Sequence, residues 1–241
     1  MADSDPLNHE APTPPFRILF EDTHLLVLSK APGILSQGDA SGDPSLVDLL
    51  RSHFGRNYVG LIHRLDRNTS GLMVVAKRSK SAERLTAQLQ SGELQREYHA
   101  VLWGELTGPP TQKWEHWLLK NPQTNEVKVV PPGAQGAKKA VLLARLVRIF
   151  HDPRSDRPLS WVRFQLETGR SHQIRVQARA MGFPLIGDIK YGTPLSASLF
   201  SRPALHSCYL SFIHPMSQEP MLFEEPLPQD LVNFCKSTLT Y

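Results

Sequence analysis

The amino-acid sequence predicts an α+β fold built on a mixed, largely antiparallel β-sheet flanked by helices and loops. Most apolar runs have the length and alternation of strands, and turns such as Gly108-Pro109-Pro110 separate them. Only a few segments have helical spacing, and they are inserted between strands instead of alternating regularly with them. The 241 residues, of which 40% are hydrophobic, fit one large domain or two small ones that share a core.

The composition of the chain indicates the kind of partner and the cellular compartment to expect. The formal net charge of +4 and the pI of about 9.1 suit an anionic partner. Cys208 and Cys235 form no Cys-x-x-Cys pair, which favours a reducing compartment. No apolar run approaches the ~20 residues that span a bilayer, and the first residues have no signal-peptide pattern. We therefore expect a cytoplasmic protein that has no membrane segment and, by default, is a monomer without an obligate protein partner.

The first elements are a tail and a hairpin. Residues 1–16 contain four prolines and almost nothing apolar, so they are predicted to be a flexible tail before a domain at 17–241. Arg17–Phe20 and His24–Ser29 are short β-type runs split by a polar turn, which predicts a β-hairpin.

The next elements lead to a central loop and a buried strand. Ser45–Phe54 has apolar residues at helical spacing, and Gly55 is expected to end that helix. Tyr58–Ile62 is predicted as a strand. Leu72–Ala76 is an apolar run with two adjacent valines, typical of a buried strand. Ser79–Gln90 is predicted as an amphipathic helix.

The second half is mostly strands. Leu94–Glu105 alternates and is predicted as a strand. Residues 113–150 are expected to contain three strands, although Ala137–Arg148 also fits a helix. The remaining predicted elements are a strand at Ser160–Glu167, a helix at Ser171–Met181, a strand at Leu205–Ile213 and a helix at Leu227–Leu239.

The stretch His63–Lys77 contains the first candidate for chemistry. It places Asp66 between Arg64 and Arg67, ahead of the turn-forming residues Thr69 to Gly71. An acid in a loop held by a buried strand can reach a ligand from a rigid support. The same pattern fits an ordinary surface ion pair with Arg67, so this cluster alone leaves both interpretations open.

A second cluster, Thr168–Arg175, lies where a strand gives way to a helix. Gly169 permits an unusual backbone there, and a helix start favours an anion. Arg170 and Arg175 are five positions apart and cannot share a helix face well. One of them is expected to contact a phosphate while the other turns inward to a carboxylate, although an ordinary basic helix start has the same pattern.

Two further stretches have alternative interpretations. In a strand, Arg96, Tyr98 and Ala100 share a face, so Tyr98 is a candidate to stack on a base, or else an ordinary core tyrosine. Gly182–Gly192 is a shaped loop whose Asp188, Lys190 and Tyr191 either touch a ligand or only fix the loop.

Other chemistries fit poorly. The histidines and cysteines show no zinc spacing and no His-Glu-x-x-His. No phosphate-binding Gly-x-x-x-x-Gly-Lys-[Ser/Thr] and no Gly-x-Ser-x-Gly elbow occurs. A cofactor-free reaction built on one carboxylate remains.

Taken in order, these stretches resemble the RluA branch of the pseudouridine synthases over residues 17–225. The resemblance includes the Lys30–Gly33 stretch with an altered spacing, and Arg96 stands where relatives commonly have lysine. Several relatives also carry a small RNA-binding module ahead of the catalytic domain. The tail at residues 1–16 is too short to form such a module, so we expect the catalytic domain to hold RNA alone. The matching motifs are His63–Asp66 with Thr69–Gly71, Tyr98, Thr168–Arg175, Gly187–Asp188, Tyr191–Gly192, Leu205–His206 and His214–Pro215.

The resemblance implies a pseudouridine-synthase-like fold and an enzyme that isomerises specific uridines in structured ribosomal or transfer RNA, without a cofactor. Asp66 would be the catalytic carboxylate, Arg175 would keep it charged and Tyr98 would stack on the flipped uracil. The other expected substrate contacts are Arg64, Arg67, Arg170, His172, Gln173, Leu205 and Lys77. Further phosphate contacts are expected from Arg78, Lys80 and Arg84.

Two alternatives stay open at this point. A catalytically silent RNA-binding or folding protein would have the same fold and the same basic residues. A glycoside-cleaving enzyme also acts at an anomeric carbon, but it usually needs two carboxylates, and the motifs offer no obvious second acid.

Overall fold

A computed structural model of the chain describes residues 14–39, 41–55, 58–152 and 156–237. The strands are β1 (Phe16–Glu21), β2 (Leu25–Lys30), β3 (Gly60–Leu61), β4 (Ser70–Ala76), β5 (Gln95–Trp103), β6 (Thr111–Asn121), β7 (Glu126–Val130), β8 (Lys138–His151), β9 (Pro158–Leu166), β10 (Leu205–Ile213) and β11 (Pro220–Glu224). The helices are α1 (Leu46–Phe54), α2 (Ser79–Ser91), α3 (Gln173–Ala180), α4 (Pro194–Ser198) and α5 (Gln229–Ser237). None of these helices is long and apolar enough to cross a bilayer.

One sheet contains all of these strands. Its order is β1-β2-β4-β10-β5-β9-β8-β6-β7, with β11 also paired to β10 and β3 to β4. β4 and β10 run parallel, and the other pairs are antiparallel. The predicted α+β class with a mixed, largely antiparallel sheet is confirmed. Because β4 and β10 are adjacent and run parallel, the loop before β4 and the start of β10 lie at the same end of the sheet.

Local sequence signals set several element ends. Ser45 caps α1 through a capping box with Asp48, and Gly55 ends it in the left-handed region at φ 61°. Gly92 ends α2 in the same way. The hairpin β1–β2 forms as expected, with an irregularity between Ile18 and Phe20.

Apolar side chains form a core on each face of the sheet. On one face, Leu46 of α1, Ile174 of α3 and Tyr98 of β5 belong to the same buried cluster. On the other face, Leu85 of α2 packs among residues from β2, β4 and β10. All seven residues of β4 are buried, and each fully buried Leu, Val or Met contributes about 1.5–3 kcal/mol. The loop that carries Asp66 is therefore joined to a rigid central strand.

Some predicted elements differ from the structure. The strand expected at Tyr58–Ile62 is only the two residues of β3. The ambiguous stretch Ala137–Arg148 is strand, because β8 pairs on both sides with β6 and β9. The short helix α4 and the strand β11 were not predicted. Phe16, assigned to the tail, starts β1, and residues 1–13 of the predicted tail lie outside the described residues.

Gly71 sits where β4 meets β10, and we expect Gly71→Ala to destabilise the chain severely. Its φ is +108°, and a Cβ there would lie 2.1 Å from the carbonyl oxygen of Ser207. Left-handed backbone alone costs about 1–2 kcal/mol for alanine, and the backbone clash adds several more. Urea unfolding measures the loss.

Gly133→Ala is the matched control for this prediction. Gly133 has φ +85°, but a Cβ there would meet nothing within 4 Å. It therefore carries the conformational cost without the clash. Equal losses of unfolding free energy in the two variants would show that the close approach of β10 is not the reason for glycine at position 71.

Candidate active site

Asp66 lies in the loop between β3 and β4, and side chains from distant segments hold that loop. The Ser36 hydroxyl donates to the carbonyl of Leu65 at 2.7 Å and accepts from its N–H at 3.1 Å. The ammonium of Lys30 donates to the Arg67 carbonyl at 3.0 Å. The Thr69 N–H donates to the Asp66 carbonyl and closes a turn. The carboxylate is thus fixed through its backbone while 26% of its side chain stays exposed.

Arg175 joins Asp66 to a second acid. Its Nη1 donates to Asp66 Oδ2 at 2.8 Å, while Nε and Nη2 donate to the two oxygens of Asp188 at 2.7 and 2.8 Å. The Asp188 side chain is 1% exposed, and it also accepts from the N–H groups of Lys190 and Tyr191. This bidentate pairing fixes the guanidinium plane, so that one nitrogen is left to point at Asp66.

The two acids change the pKa of Arg175. Burial alone would lower the pKa of Arg175, but the hydrogen bonds that it donates to Asp188 and the charge of Asp66 outweigh burial and raise the pKa above its usual value. Arg175 is therefore a permanent cation at neutral pH. A cation at 2.8 Å stabilises the ionised carboxylate of Asp66.

Tyr191 and His172 support the other side of Arg175. The Arg175 guanidinium carbon lies 5.0 Å from the centre of the Tyr191 ring. The Tyr191 hydroxyl accepts from the Val127 N–H at 3.0 Å and lies 2.7 Å from His172 Nδ1. His172 precedes α3 with φ 54°, a left-handed conformation that is uncommon for histidine. Burial lowers the pKa of His172, which keeps the ring neutral near pH 7.

Tyr98 and Leu205 come from adjacent strands and share the buried cluster on the α1 and α3 face. Tyr98 is 4% exposed. Burial raises the pKa of the Tyr98 phenol, so it stays protonated through the physiological range. Leu65, the neighbour of Asp66, belongs to the same cluster. The structure therefore brings Tyr98 and Leu205 to the apolar floor beneath the Asp66 loop.

Three predicted arginine contacts lie at the surface around this site. Arg64 is exposed and makes no hydrogen bond or ion pair with the residues that the structure describes. Arg67 pairs with Asp43 at 2.8 Å and donates to the Gly33 carbonyl. Arg170 is exposed and donates to the Lys139 carbonyl at 2.9 Å. All three remain accessible to a ligand.

Two other predicted contacts have structural partners instead. Gln173 is buried, and its Oε1 accepts from the Arg170 N–H and the Thr168 hydroxyl, so its side chain closes the turn before α3. Lys77 is separated from Ser70 by β4, about 20 Å of strand, and its ammonium pairs with Glu21 at 2.6 Å. The structure does not bring Lys77 to the Asp66 end of the sheet.

The additional phosphate candidates on α2 are equally remote. Arg78 precedes α2, Lys80 lies in its first turn and Arg84 donates to the Pro215 carbonyl, all near the end of β4 that is remote from Asp66. These residues do not line the Asp66 site, and contacts between them and more distant RNA phosphates stay a prediction. A cavity of about 490 Å³ near that end, lined in part by His214 and Met221, does not include Asp66 either.

Two buried cations beneath the Asp66 loop were not predicted. Lys30 is 1% exposed and donates to the carbonyls of Ala31, Ile34 and Arg67. Arg202 pairs bidentately with Asp230 of α5 and donates to the Asn68 carbonyl at 3.3 Å. The sequence signals for Lys30 were its place at the end of an apolar strand and the Lys30–Gly33 stretch of the family resemblance, and neither predicted a buried cation. Arg202 had no signal because its segment matched no motif.

We expect Lys30 to make stability depend on pH. Burial lowers the pKa of Lys30 to about 7 from 10.5, although the charge of Asp66 opposes the shift. Above pH 7 the folded chain therefore releases a proton that the unfolded chain keeps until about pH 10.5. The contribution of Lys30 to the free energy of unfolding is therefore largest above pH 10.5. It falls as the pH falls towards 7, because the buried side chain must then take up a proton. The free energy of unfolding should rise by about 2 kcal/mol between about pH 7.5 and 9.

Urea unfolding of Lys30→Met checks this prediction, because the variant should lack the rise whatever its absolute stability. Lys80→Met removes an exposed lysine and should keep it. The same pH dependence in wild type and Lys30→Met would exclude Lys30 as its source.

In the described part of the chain, no group of three or more His, Cys, Asp or Glu side chains is arranged to hold a metal ion. The site thus consists of Asp66, the Arg175–Asp188 pair, an aromatic and aliphatic floor and a rim of arginines.

Comparison with known proteins points to one family. A family model described as RNA pseudouridylate synthase matches residues 24–180. The chain is 37% identical over 227 residues to an uncharacterised RNA pseudouridine synthase of Bacillus subtilis, which covers 92% of this chain and 76% of that protein. It is 33% identical over 242 residues to ribosomal large subunit pseudouridine synthase D of Zymomonas mobilis, covering 94% and 74%.

A solved structure shows the same fold. Human RNA pseudouridylate synthase domain containing 1 superposes with a TM-score of 0.71 at 22% identity, covering 94% of this chain and 95% of the human one. A second human protein, RNA pseudouridylate synthase domain containing 4, has the same TM-score at 19% identity. The shared fold includes the sheet that carries the Asp66 loop.

Proposed function

The chain belongs to the RluA-type pseudouridine synthase family and is an RNA pseudouridine synthase, and on that premise we propose that it isomerises specific uridines of ribosomal RNA with Asp66 as the catalytic carboxylate. The observation that carries the proposal is the ion pair between Asp66 and Arg175, 109 positions apart in the chain. Relatives named as large-subunit ribosomal enzymes support ribosomal RNA over transfer RNA.

The reaction exchanges one glycosidic bond for another. The bond between N1 of uracil and C1′ of ribose breaks, the base turns, and C5 bonds to C1′. C5 loses its proton and N1 gains one, so no co-reactant is consumed. Asp66 either attacks C1′ as a nucleophile or takes a proton from the sugar. Both roles need a charged carboxylate that a substrate can reach, which is what Arg175 and the partial exposure of Asp66 provide.

The target base must leave its stack to reach Asp66. Unstacking costs a few kcal/mol and is cheapest for an unpaired nucleotide. Tyr98 would stack on the extruded uracil, and its protonated phenol is able to donate a hydrogen bond. Leu205 would contact the apolar side of the ring. Arg64, which is exposed beside Asp66, would fill the space that the base leaves or hold the backbone.

The surface arginines would then neutralise the RNA backbone. Arg67 and Arg170 lie on the loops on either side of the Arg175 pair, and each keeps donors that its partners do not use. Their loss should weaken RNA binding and flatten its salt dependence without changing the chemical step.

Mapping pseudouridines in the RNA of cells with and without this gene tests the proposal. We expect particular ribosomal positions to lose pseudouridine on deletion and to regain it when the purified protein is added to the isolated RNA. Loss confined to transfer RNA would contradict the ribosomal assignment. Unchanged maps of both RNA classes would contradict the proposed activity in the cell.

A further inference from the structure

Arg96 is a buried cation to which the described residues offer no anion. The residue is 5% exposed, and its Nε is fully covered without a hydrogen-bond partner. No carboxylate of residues 14–39, 41–55, 58–152 and 156–237 forms an ion pair with it. Burying an unpaired charge is strongly unfavourable, so an anion from outside the chain is the simplest compensation.

The nearby acids are committed to other cations. Glu97, the next residue, points to the opposite face of β5 and pairs with Arg163. Glu167, just after β9, pairs with Lys113 at 3.1 Å. Asp66 and Asp188 both bind Arg175. None of these carboxylates is left to pair with Arg96.

The end of the Arg96 side chain lies against the exposed turn before α3. A Cβ built on Gly169 would lie 3.0 Å from Arg96 Nη1 and 3.4 Å from Nη2. Because Gly169 is exposed and has no side chain, the two terminal nitrogens lie just beneath the surface at this turn. Arg96 therefore has a buried stem and Nε, and a tip that a ligand can approach.

Arg96 also lies beside the candidate base-stacking residue. Arg96 and Tyr98 share one face of β5. Burial raises the pKa of the Tyr98 phenol, and the charge of Arg96 is the next largest influence and opposes that rise. A ligand stacked on Tyr98 would therefore bring its own charged groups close to the guanidinium.

His63 adds a second donor without an acceptor. His63 Nε2 accepts from the Val74 N–H, so the ring proton is assigned to Nδ1, which is buried and has no partner. Burial and the Arg96 charge lower the pKa of His63 to about 3, which keeps the ring neutral. The surroundings of Arg96 thus supply donors and positive charge and no compensating negative charge.

We propose that Arg96 binds a backbone phosphate next to the target uridine, and that position 169 is glycine because a side chain there would obstruct the guanidinium. This proposal rests on the proposed function and adds a binding residue to it. A guanidinium fork matches phosphate oxygens in shape and charge. Extruding a base towards Tyr98 necessarily brings the phosphates of that nucleotide to the rim of the site.

The test compares Arg96→Gln with wild type on ribosomal RNA labelled with 5-tritiated uridine and purified from cells that lack the gene. Tritium release reports bond formation at C5, and filter binding of the same RNA at about 50 to 200 mM salt reports affinity. We expect an apparent KM raised roughly 10-fold or more, kcat within about threefold, and a salt slope smaller by about 0.7–1. Arg96→Lys should keep the slope.

Arg148→Gln is the matched control, because it removes the same charge from an exposed position on β8 that pairs with Trp161, well away from Gly169. It should leave KM near wild type. The single variant Gly169→Ala is a second test, and it keeps Arg96 in place. Its KM should be higher than that of wild type. In the double variant with Arg96→Gln, Gly169→Ala should raise KM no further, because the guanidinium that it obstructs is absent.

Unchanged KM and salt slope in Arg96→Gln would overturn the proposal. A fall in kcat with unchanged KM and slope would also overturn it, since that result assigns Arg96 to the base or the chemistry. Additive effects of Gly169→Ala and Arg96→Gln would overturn the role given to Gly169. If wild type releases no tritium, the proposed function fails, while the salt slopes still decide whether Arg96 binds phosphate.

Discussion

Asp66→Asn should reduce turnover on the order of 1,000-fold or more while leaving RNA affinity close to wild type. Asparagine has nearly the same shape, and its amide oxygen can still accept the hydrogen bond that Arg175 now donates at 2.8 Å. It has no negative charge and is a poor nucleophile and base, so both open roles of Asp66 are lost. Tritium release from 5-tritiated ribosomal RNA measures turnover, and filter binding of the same RNA measures affinity.

The control for this variant is Asp43→Asn. Asp43 is exposed and pairs with Arg67 at 2.8 Å, so its replacement makes the same change of charge near the same loop. Its turnover should remain near wild type. Pseudouridine formation by Asp66→Asn at a comparable rate would mean that Asp66 is not the catalytic group.

The silent RNA-binding alternative makes the opposite prediction. If wild type binds RNA but forms no pseudouridine in either RNA class, Asp66→Asn will change nothing measurable in turnover. The Asp66–Arg175 pair argues against that alternative, because a binding protein has no need of a partly exposed carboxylate held beside a buried cation.

Arg175→Met should lower kcat by about 100-fold or more and also destabilise the fold. The loss in activity follows because Asp66 loses the cation that stabilises its charge. The free energy of unfolding should fall by about 3–5 kcal/mol, because Asp188 is left buried without its bidentate partner. RNA affinity should change less than kcat does. Tritium release and urea unfolding measure the two losses.

A second substitution separates the two effects. In Arg175→Met combined with Asp188→Asn, the uncompensated charge is gone, and the Asn oxygen can still accept from the N–H groups of Lys190 and Tyr191. We expect this double variant to recover much of the lost stability and none of the lost turnover. Recovery of turnover together with stability would show that Arg175 serves only the fold.

Some of this site could be predicted from the sequence because its signals are local. The turn residues after Asp66, the apolar run of β4 and the cap residues of α1 each depend on neighbours in the chain. The motifs also carried the family resemblance that the comparisons confirm. The local signals did not show that Lys77, a predicted substrate contact, lies at the other end of β4 from Asp66.

The long-range contacts of the site could not be predicted from these local signals. Lys30 and Arg202 hold the site through partners 37 and 134 positions away, and Asp188 through one 13 positions away. Side-chain identity does not state which partner a buried charge finds. The loop containing Asp188 was expected either to touch a ligand or to fix itself. In the structure Asp188 fixes the loop through the N–H groups of Lys190 and Tyr191, and it also orients the arginine that contacts Asp66.

The sequence by itself determined the fold class and the order of most strands and helices, because periodicity and turn chemistry are properties of short stretches. The order of its motifs indicated the family and made Asp66 the candidate catalytic residue. The tertiary structure decided which of many basic residues meet at the site. Folding brings Arg175 of α3 to Asp66, places Lys77 at the far end of β4 and leaves Arg96 buried without an ion-pair partner among the described residues. The physical reason is that a charge can be buried only where folding, or a ligand, supplies its counter-charge.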